Sequence, residues 1–188
     1  MRWEQVIKYG SLSDIGFRRQ NNEDAAIVQL CADPEIWQQH GHVLLVADGM
    51  GGHAAGELAS KLAADTLPQT FFKSRDKDVQ SALKEAIEVT NKTINDRGTQ
   101  NKDFQRMGTT CASLVLGPDG ATIGHVGDSR VYRVRGDRID QLTFDHSLQW
   151  ELLRENKVSR EEILLREPRH VITRSLGPEP VVKVDIEG

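Results

Sequence analysis

An apolar run that ends on one carboxylate and then breaks into glycines limits what this chain can become: Val43-Leu44-Leu45-Val46-Ala47-Asp48-Gly49-Met50-Gly51-Gly52-His53. Val43 to Ala47 has the length and β-branched content of a buried strand. Asp48 is thereby delivered to the edge of a glycine-rich turn, with the His53 imidazole four residues past the first glycine. Glycines there let the backbone take φ > 0 or approach a ligand closely. A carboxylate in that position repels a bare phosphate and makes sense with a divalent cation between them, so the run reads as a metal–phosphate site. It is not a dinucleotide fingerprint, because Ala54 stands where the third glycine belongs, and no Gly-Lys-Ser/Thr follows to make a Walker A loop. Taken alone, Asp48 is equally well a ligand or a cap for the following helix.

The 188 residues carry no linker, repeat or low-complexity tract, so 1–188 is read as a single domain with enough chain for a real core. A net charge of −4 argues against nucleic acid and against an anionic membrane surface as partners. No apolar run approaches the ~20 residues of a membrane span, and no signal peptide opens the chain. Cys31 and Cys111 are too few for a disulfide framework or a cysteine metal site and are expected to be packed, reduced thiols. The expected compartment is the cytoplasm.

Periodicity predicts strands at Val6–Ile15, Asp24–Leu30 and Val43–Ala47. Ala55, Leu58, Ala59, Leu62, Ala63 and Thr66 share one helical face, with Pro68 near the helix end. Val79, Leu83, Ala86, Ile87, Thr90 and Ile94 form a second stripe, with Gly98 as a stop. From Met107 the pattern turns to strands: Thr109–Leu116, Ala121–Val126, then Ser129–Arg135 and Arg138–Leu142 around the hairpin signal Gly136-Asp137. Short helices are predicted at Ser147–Glu155 and Arg160–Arg166, the second opened by the capping box Ser159-x-x-Glu162, and Val181–Ile186 alternates like a last strand. Two long helices within a run of hairpins describe an α+β layered domain, with sheets packed together and helices outside.

Further segments carry chemistry-bearing residues. Arg19 precedes the acidic pair Glu23-Asp24; a guanidinium forks a phosphoryl group and the carboxylates can hold metal-bound waters, although such runs are more often solvated loops. Gly127-Asp128-Ser129-Arg130 is in isolation a turn, Thr143-Phe144-Asp145-His146-Ser147 a helix cap, and Arg169, His170 and Arg174 structural or solvated.

In this order, Arg19-x-x-x-Glu23-Asp24, Val46-Ala47-Asp48-Gly49-Met50-Gly51-Gly52-His53, Met107-Gly108-Thr109-Thr110, Gly127-Asp128-Ser129-Arg130, Leu142-Thr143-x-Asp145-His146 and Ile172-Thr173-Arg174-Ser175-Leu176-Gly177 resemble the metal-dependent protein phosphatases of the protein phosphatase 2C class, specifically their compact bacterial members. The resemblance runs from about Ser13 to the C-terminus. It implies two antiparallel sheets packed face to face and flanked by helix pairs, and a protein serine/threonine phosphatase that hydrolyses phosphoserine and phosphothreonine with two Mn²⁺ or Mg²⁺ ions. Oxygen ligands suit those hard cations. By this resemblance Asp48 bridges the two ions, Gly49 offers its carbonyl, and Glu23 and Asp24 hold metal-bound waters. The metal-activated water attacks phosphorus directly, Arg19 clamps the phosphoryl oxygens, and His53 is the general acid for the departing alkoxide. Asp128 resembles the ligand of a third, weaker metal site, and about Asp145 to Pro168 corresponds to a flap where substrate contacts vary. Implied partners are phosphoproteins, including those of a bacterial-type Ser/Thr kinase.

Family members continue past the position of Gly188 to a Ser-Asp-Gly and then an Asp-Asn pair that complete the metal centre, and neither motif occurs here. The expectation is therefore a catalytic domain incomplete at its C-terminus, lacking its C-terminal strands and impaired in activity. The alternative is a non-catalytic phosphoprotein- or kinase-binding module.

Overall fold

The computed structural model describes residues 7–17, 20–52, 54–74, 76–155, 157–159, 161–162 and 171–188. Its elements run β1 (Asp24–Gln29), α1 (Pro34–His40), β2 (His42–Met50), α2 (Ala54–Lys73), α3 (Val79–Gln100), β3 (Gly108–Thr109), β4 (Cys111–Gly117), β5 (Gly120–Val126), β6 (Tyr132–Arg135), β7 (Arg138–Gln141), α4 (Leu148–Arg154) and β8 (Asp185–Glu187). The main sheet has the order β1-β2-β4-β5-β8, every pairing antiparallel, and β3 pairs with the end of β2. β6 and β7 form a separate hairpin.

Alternation along β2 sends Val43, Leu45 and Ala47 into the core, where α2 and α3 cover one face of the sheet. The two predicted stripes are the buried ones: Ala55, Ala59 and Ala63 on α2, and Leu83, Ala86, Ile87, Thr90 and Ile94 on α3. Leu44, Val46 and Leu114 project from the opposite face, and with Val131 and Tyr132 at the entry to β6 they line a groove of about 260 Å³. The architecture is α+β with antiparallel sheets, as expected, and among the described residues the second sheet is this hairpin.

Several boundaries differ from the sequence reading. Residues 7–15 are not a strand. Helix α2 runs through Pro68 to Lys73, because burial of Leu67, Pro68 and Phe71 outweighs the one backbone bond a proline forfeits. Gly98 does not stop α3; a Cβ there would lie 3.0 Å from the Phe104 carbonyl oxygen, so glycine admits the returning chain. The last strand is confined to Asp185–Glu187. Helix α1 was not anticipated: Asp33 caps it by accepting from Glu35 and Ile36, Pro34 opens it, and Gly41 leaves it at φ +73°. Ser159 and Glu162 do exchange capping-box bonds, at 2.7 and 3.2 Å, while most of the predicted helix beyond lies outside the described residues.

Gly124 on β5 sits where a Cβ would be 2.5 Å from Ile87 Cδ1 and 2.8 Å from Ser113 Oγ. Gly124→Ala should therefore cost about 1–3 kcal/mol of overpacking, whereas Gly117→Ala, whose nearest neighbour is 4.0 Å away, should change the urea midpoint little.

Candidate functional site

Antiparallel pairing brings the start of β1, the end of β2, the starts of β4 and β8 and the end of β5 to one end of the sheet. There Asp24 stands directly opposite Asp48. The bond from Gly49 N–H to Glu23 O, 3.0 Å, marks this as a non-hydrogen-bonded pair, the kind whose side chains lie closer. Both carboxylates project from the face away from the helices, because Ala47 and Gly49 take the buried alternation. Two like charges across a strand pair are unfavourable on their own and are reconciled by a cation between them.

Glu23 goes the other way. A Cβ on Gly56 would lie 2.3 Å from Glu23 Oε2, and one on Gly49 would lie 2.1 Å from Gly56 O. The Glu23 carboxylate is thus set against the first turn of α2, where the helix dipole favours an anion, on the opposite side of β2 from the Asp24–Asp48 pair. The glycine turn uses both properties expected of it: Gly51 and Gly52 adopt φ +124° and +82°, and Gly49 allows the close approach. Arg19 and His53 lie outside the described residues.

Thr110 fixes Asp48 from behind. Asp48 N–H donates to Thr110 Oγ1 at 2.9 Å, and Thr110 N–H donates to Asp48 O at 2.9 Å. The same hydroxyl meets Ser129 Oγ at 2.7 Å, which joins the Asp48 strand to the turn bearing the half-buried Asp128. Before that turn, Gly127 takes φ +111°. Its N–H donates to His146 Nδ1 (3.0 Å) and its carbonyl accepts from His146 N–H (2.8 Å). With Nδ1 accepting, the His146 ring proton sits on Nε2 and is donated to Asp185 Oδ2, 2.9 Å away. Arg174 Nη1 is also 2.9 Å from that nitrogen, but both groups carry protons, and its attraction is to Asp185 Oδ1 at 2.9 Å. Arg130 makes a forked pair with the buried Asp145, which Gln141 also serves, and its guanidinium lies over the Trp150 ring of α4.

Burial holds His146 below the ordinary imidazole value, against the raising effect of Asp185. His125, its ring 4.8 Å away, is lowered by burial and by the neighbouring His146 charge. For Asp185, burial pushes the carboxyl up, but the bond from His146 and the Arg174 charge outweigh it and the net direction is down. Cys111 is fully buried and its thiol is pushed up to about 12, so it is no nucleophile at neutral pH. Both cysteines are free thiols, Cys31 being only partly buried.

Asp48 and Asp24, with the Gly49 carbonyl beside them, supply only hard oxygen donors. That fits Mg²⁺ or Mn²⁺, which are commonly held by one or two carboxylates with water and phosphate filling the rest. Among the described residues no group of three His, Cys, Asp or Glu side chains converges as a complete ligand set. The sequence motifs contained Thr110, Ser129, Arg130, Asp145, His146 and Arg174 without revealing their roles. Asp185 gave no signal beyond an acidic residue in an apolar, alternating segment. Among the described residues no helix is long and apolar enough to cross a membrane.

The family model for protein phosphatase 2C matches residues 19–155. The serine/threonine phosphatase stp of Listeria innocua is 34% identical over 177 residues, covering 92% of this chain and 68% of the relative. Among solved structures, serine/threonine phosphatase Stp1 from Staphylococcus aureus superposes with a TM-score of 0.82 at 30% identity, covering 94% of this chain and 68% of that one. The catalytic domain of PstP, in complex with two manganese ions, superposes with a TM-score of 0.73 at 30% identity, covering 96% and 71%.

The His125 and His146 imidazoles resist a proton that the unfolded chain accepts near pH ~6.5. Their contribution to stability is present above that pH and lost as pH falls below it. In chelator, the urea midpoint should drop between about pH 7 and 5, and His125→Gln should flatten that slope; an unchanged slope would exclude His125 as a source.

Proposed function

This chain belongs to the protein phosphatase 2C family, and from that premise we propose that it is a metal-dependent protein serine/threonine phosphatase that hydrolyses phosphoserine and phosphothreonine without a phosphoenzyme. The observation that carries the reading is the direct opposition of Asp24 and Asp48 at the open end of the sheet, beside the Gly49 carbonyl. Asp48, Gly49 and Asp24 would hold two Mn²⁺ or Mg²⁺ ions and Asp128 would serve a third, weaker site, while Glu23, its carboxylate against α2 on the far side of β2, faces away from that donor set. When bound, the ions supply a water acidic enough to be hydroxide near neutral pH.

The protein's own groups do the remainder. Arg19 binds two phosphoryl oxygens as a fork and keeps the phosphorus oriented as charge moves onto them. His53 donates a proton to the departing serine or threonine oxygen, a contribution of ~10²–10⁴-fold. Thr110 keeps the Asp48 backbone fixed while this happens. The high pKa of Cys111, about 12, supports a route with no thiol nucleophile. Phosphoproteins, including those of a bacterial-type Ser/Thr kinase, are the proposed substrates, in a cytoplasmic setting that keeps both thiols reduced. A non-catalytic binding module is not favoured, because the relatives carry phosphatase names.

Phosphate release from a phosphothreonine peptide tests this. Activity should require Mn²⁺, vanish with chelator and vanish in Asp48→Ala together with metal binding; tight Mn²⁺ binding retained by Asp48→Ala would remove Asp48 as a metal ligand. Arg19→Ala should raise KM for the peptide and leave Mn²⁺ binding intact, and metal loss in that variant would remove Arg19 as the phosphate clamp.

A further inference from the structure

His146 occupies both backbone polar groups of Gly127, the residue before Asp128: its Nδ1 accepts from the Gly127 N–H and its own N–H donates to the Gly127 carbonyl. On the other side Gly127 is closed by Thr110, whose Cγ2 would be 2.6 Å from any added Cβ. The peptide leading into Asp128 is therefore held between two fixed walls. His146 is 2% exposed, and its ring is oriented by Asp185 on β8, which Arg174 holds in turn while also donating to Lys183 O. Thr110 and His146 thus meet on one turn peptide, with Asp185 and Arg174 behind the histidine. A buried imidazole and a carboxylate are an expensive way to fill that space, since burying ionic groups usually costs more stability than apolar packing.

We propose that His146 is a positioning residue for Asp128, with Asp185 as its orienter. Through the Gly127 peptide it sets where the Asp128 carboxylate stands relative to Asp48, and so determines the affinity of the weaker divalent-cation site. The inference rests on the reading of Asp128 as a ligand. Thr110, bonded to both Asp48 and Ser129, carries the other half of the same alignment.

Direct Mn²⁺ binding by calorimetry, with electron paramagnetic resonance counting free Mn²⁺, tests it in Asp128→Ala, His146→Ala, His146→Asn, Asp185→Asn and the Asp128→Ala/His146→Ala double variant. Asp128→Ala should abolish the weaker class of sites. His146→Ala should weaken that class about 10–100-fold, the usual effect of losing a group that orients a ligand, and leave the tighter class within about twofold. His146→Asn should recover most of the loss, because its amide oxygen stands near the place of Nδ1 and can accept from Gly127. The double variant should bind like Asp128→Ala alone. A wild-type binding curve in His146→Ala, or equal weakening of both classes, would overturn the positioning role. Should His146→Ala fail to fold, Asp185→Asn decides: weakening confined to the weaker class supports the proposal, and an unchanged curve overturns it. If Asp128→Ala itself binds Mn²⁺ as the wild type does, the ligand reading of Asp128 falls, and that result is distinct from a failure of His146 alone.

Discussion

Helix α2 can settle on strand β2 only where the two backbones are bare. Gly49 and Gly56 meet so closely that a Cβ on either would overlap the other's peptide. The small stripe Ala55, Ala59 and Ala63 extends the contact, and the first turn of the helix is drawn against the edge of the sheet. That same turn takes up Glu23 on the helix side. Asp24, one residue later and on the opposite face, is left to confront Asp48. A like-charge pair of this kind is tolerated because the fold has already fixed both strands by burial, and a cation bound there would favour it.

From Asp48 the rigidity continues through a short series of bonds. Thr110 serves both backbone groups of Asp48 and touches Ser129; Gly127 is clamped by His146; Asp185 and Arg174 hold the histidine. Arg130 extends the series to Asp145 and to Trp150 on α4. The Asp48 backbone, the turn before Asp128 and the Asp185 carboxylate are therefore tied into one hydrogen-bonded framework.

Much of this was legible in the residues. The Val43–Ala47 run, the two helical stripes and the Gly136-Asp137 hairpin depend on local period and turn chemistry, which a single sequence carries. What it does not carry is distance. Pro68 and Gly98 read locally as punctuation, yet burial around Leu67 and Phe71 and the returning Phe104 carbonyl decide otherwise. Asn91 and Asn95 carry no local signal, yet they hold the Gly177–Glu179 backbone from more than 80 residues away. The site was legible as a set of motifs, because acidic residues beside glycines are unusual enough to notice. The framework behind it was not, since Asp185 is paired with a histidine 39 residues earlier.

The position of β8 has a temporal consequence. Strands β1, β2, β4 and β5 and both long helices are complete before Asp185 is reached, so the bulk of the core can condense while the chain is still being synthesised. His146 has no carboxylate to orient it until the chain closes the long loop back to β5. Closing such loops is slow relative to local structure. A nascent chain of this design gathers most of its core before His146 acquires the carboxylate that orients its ring.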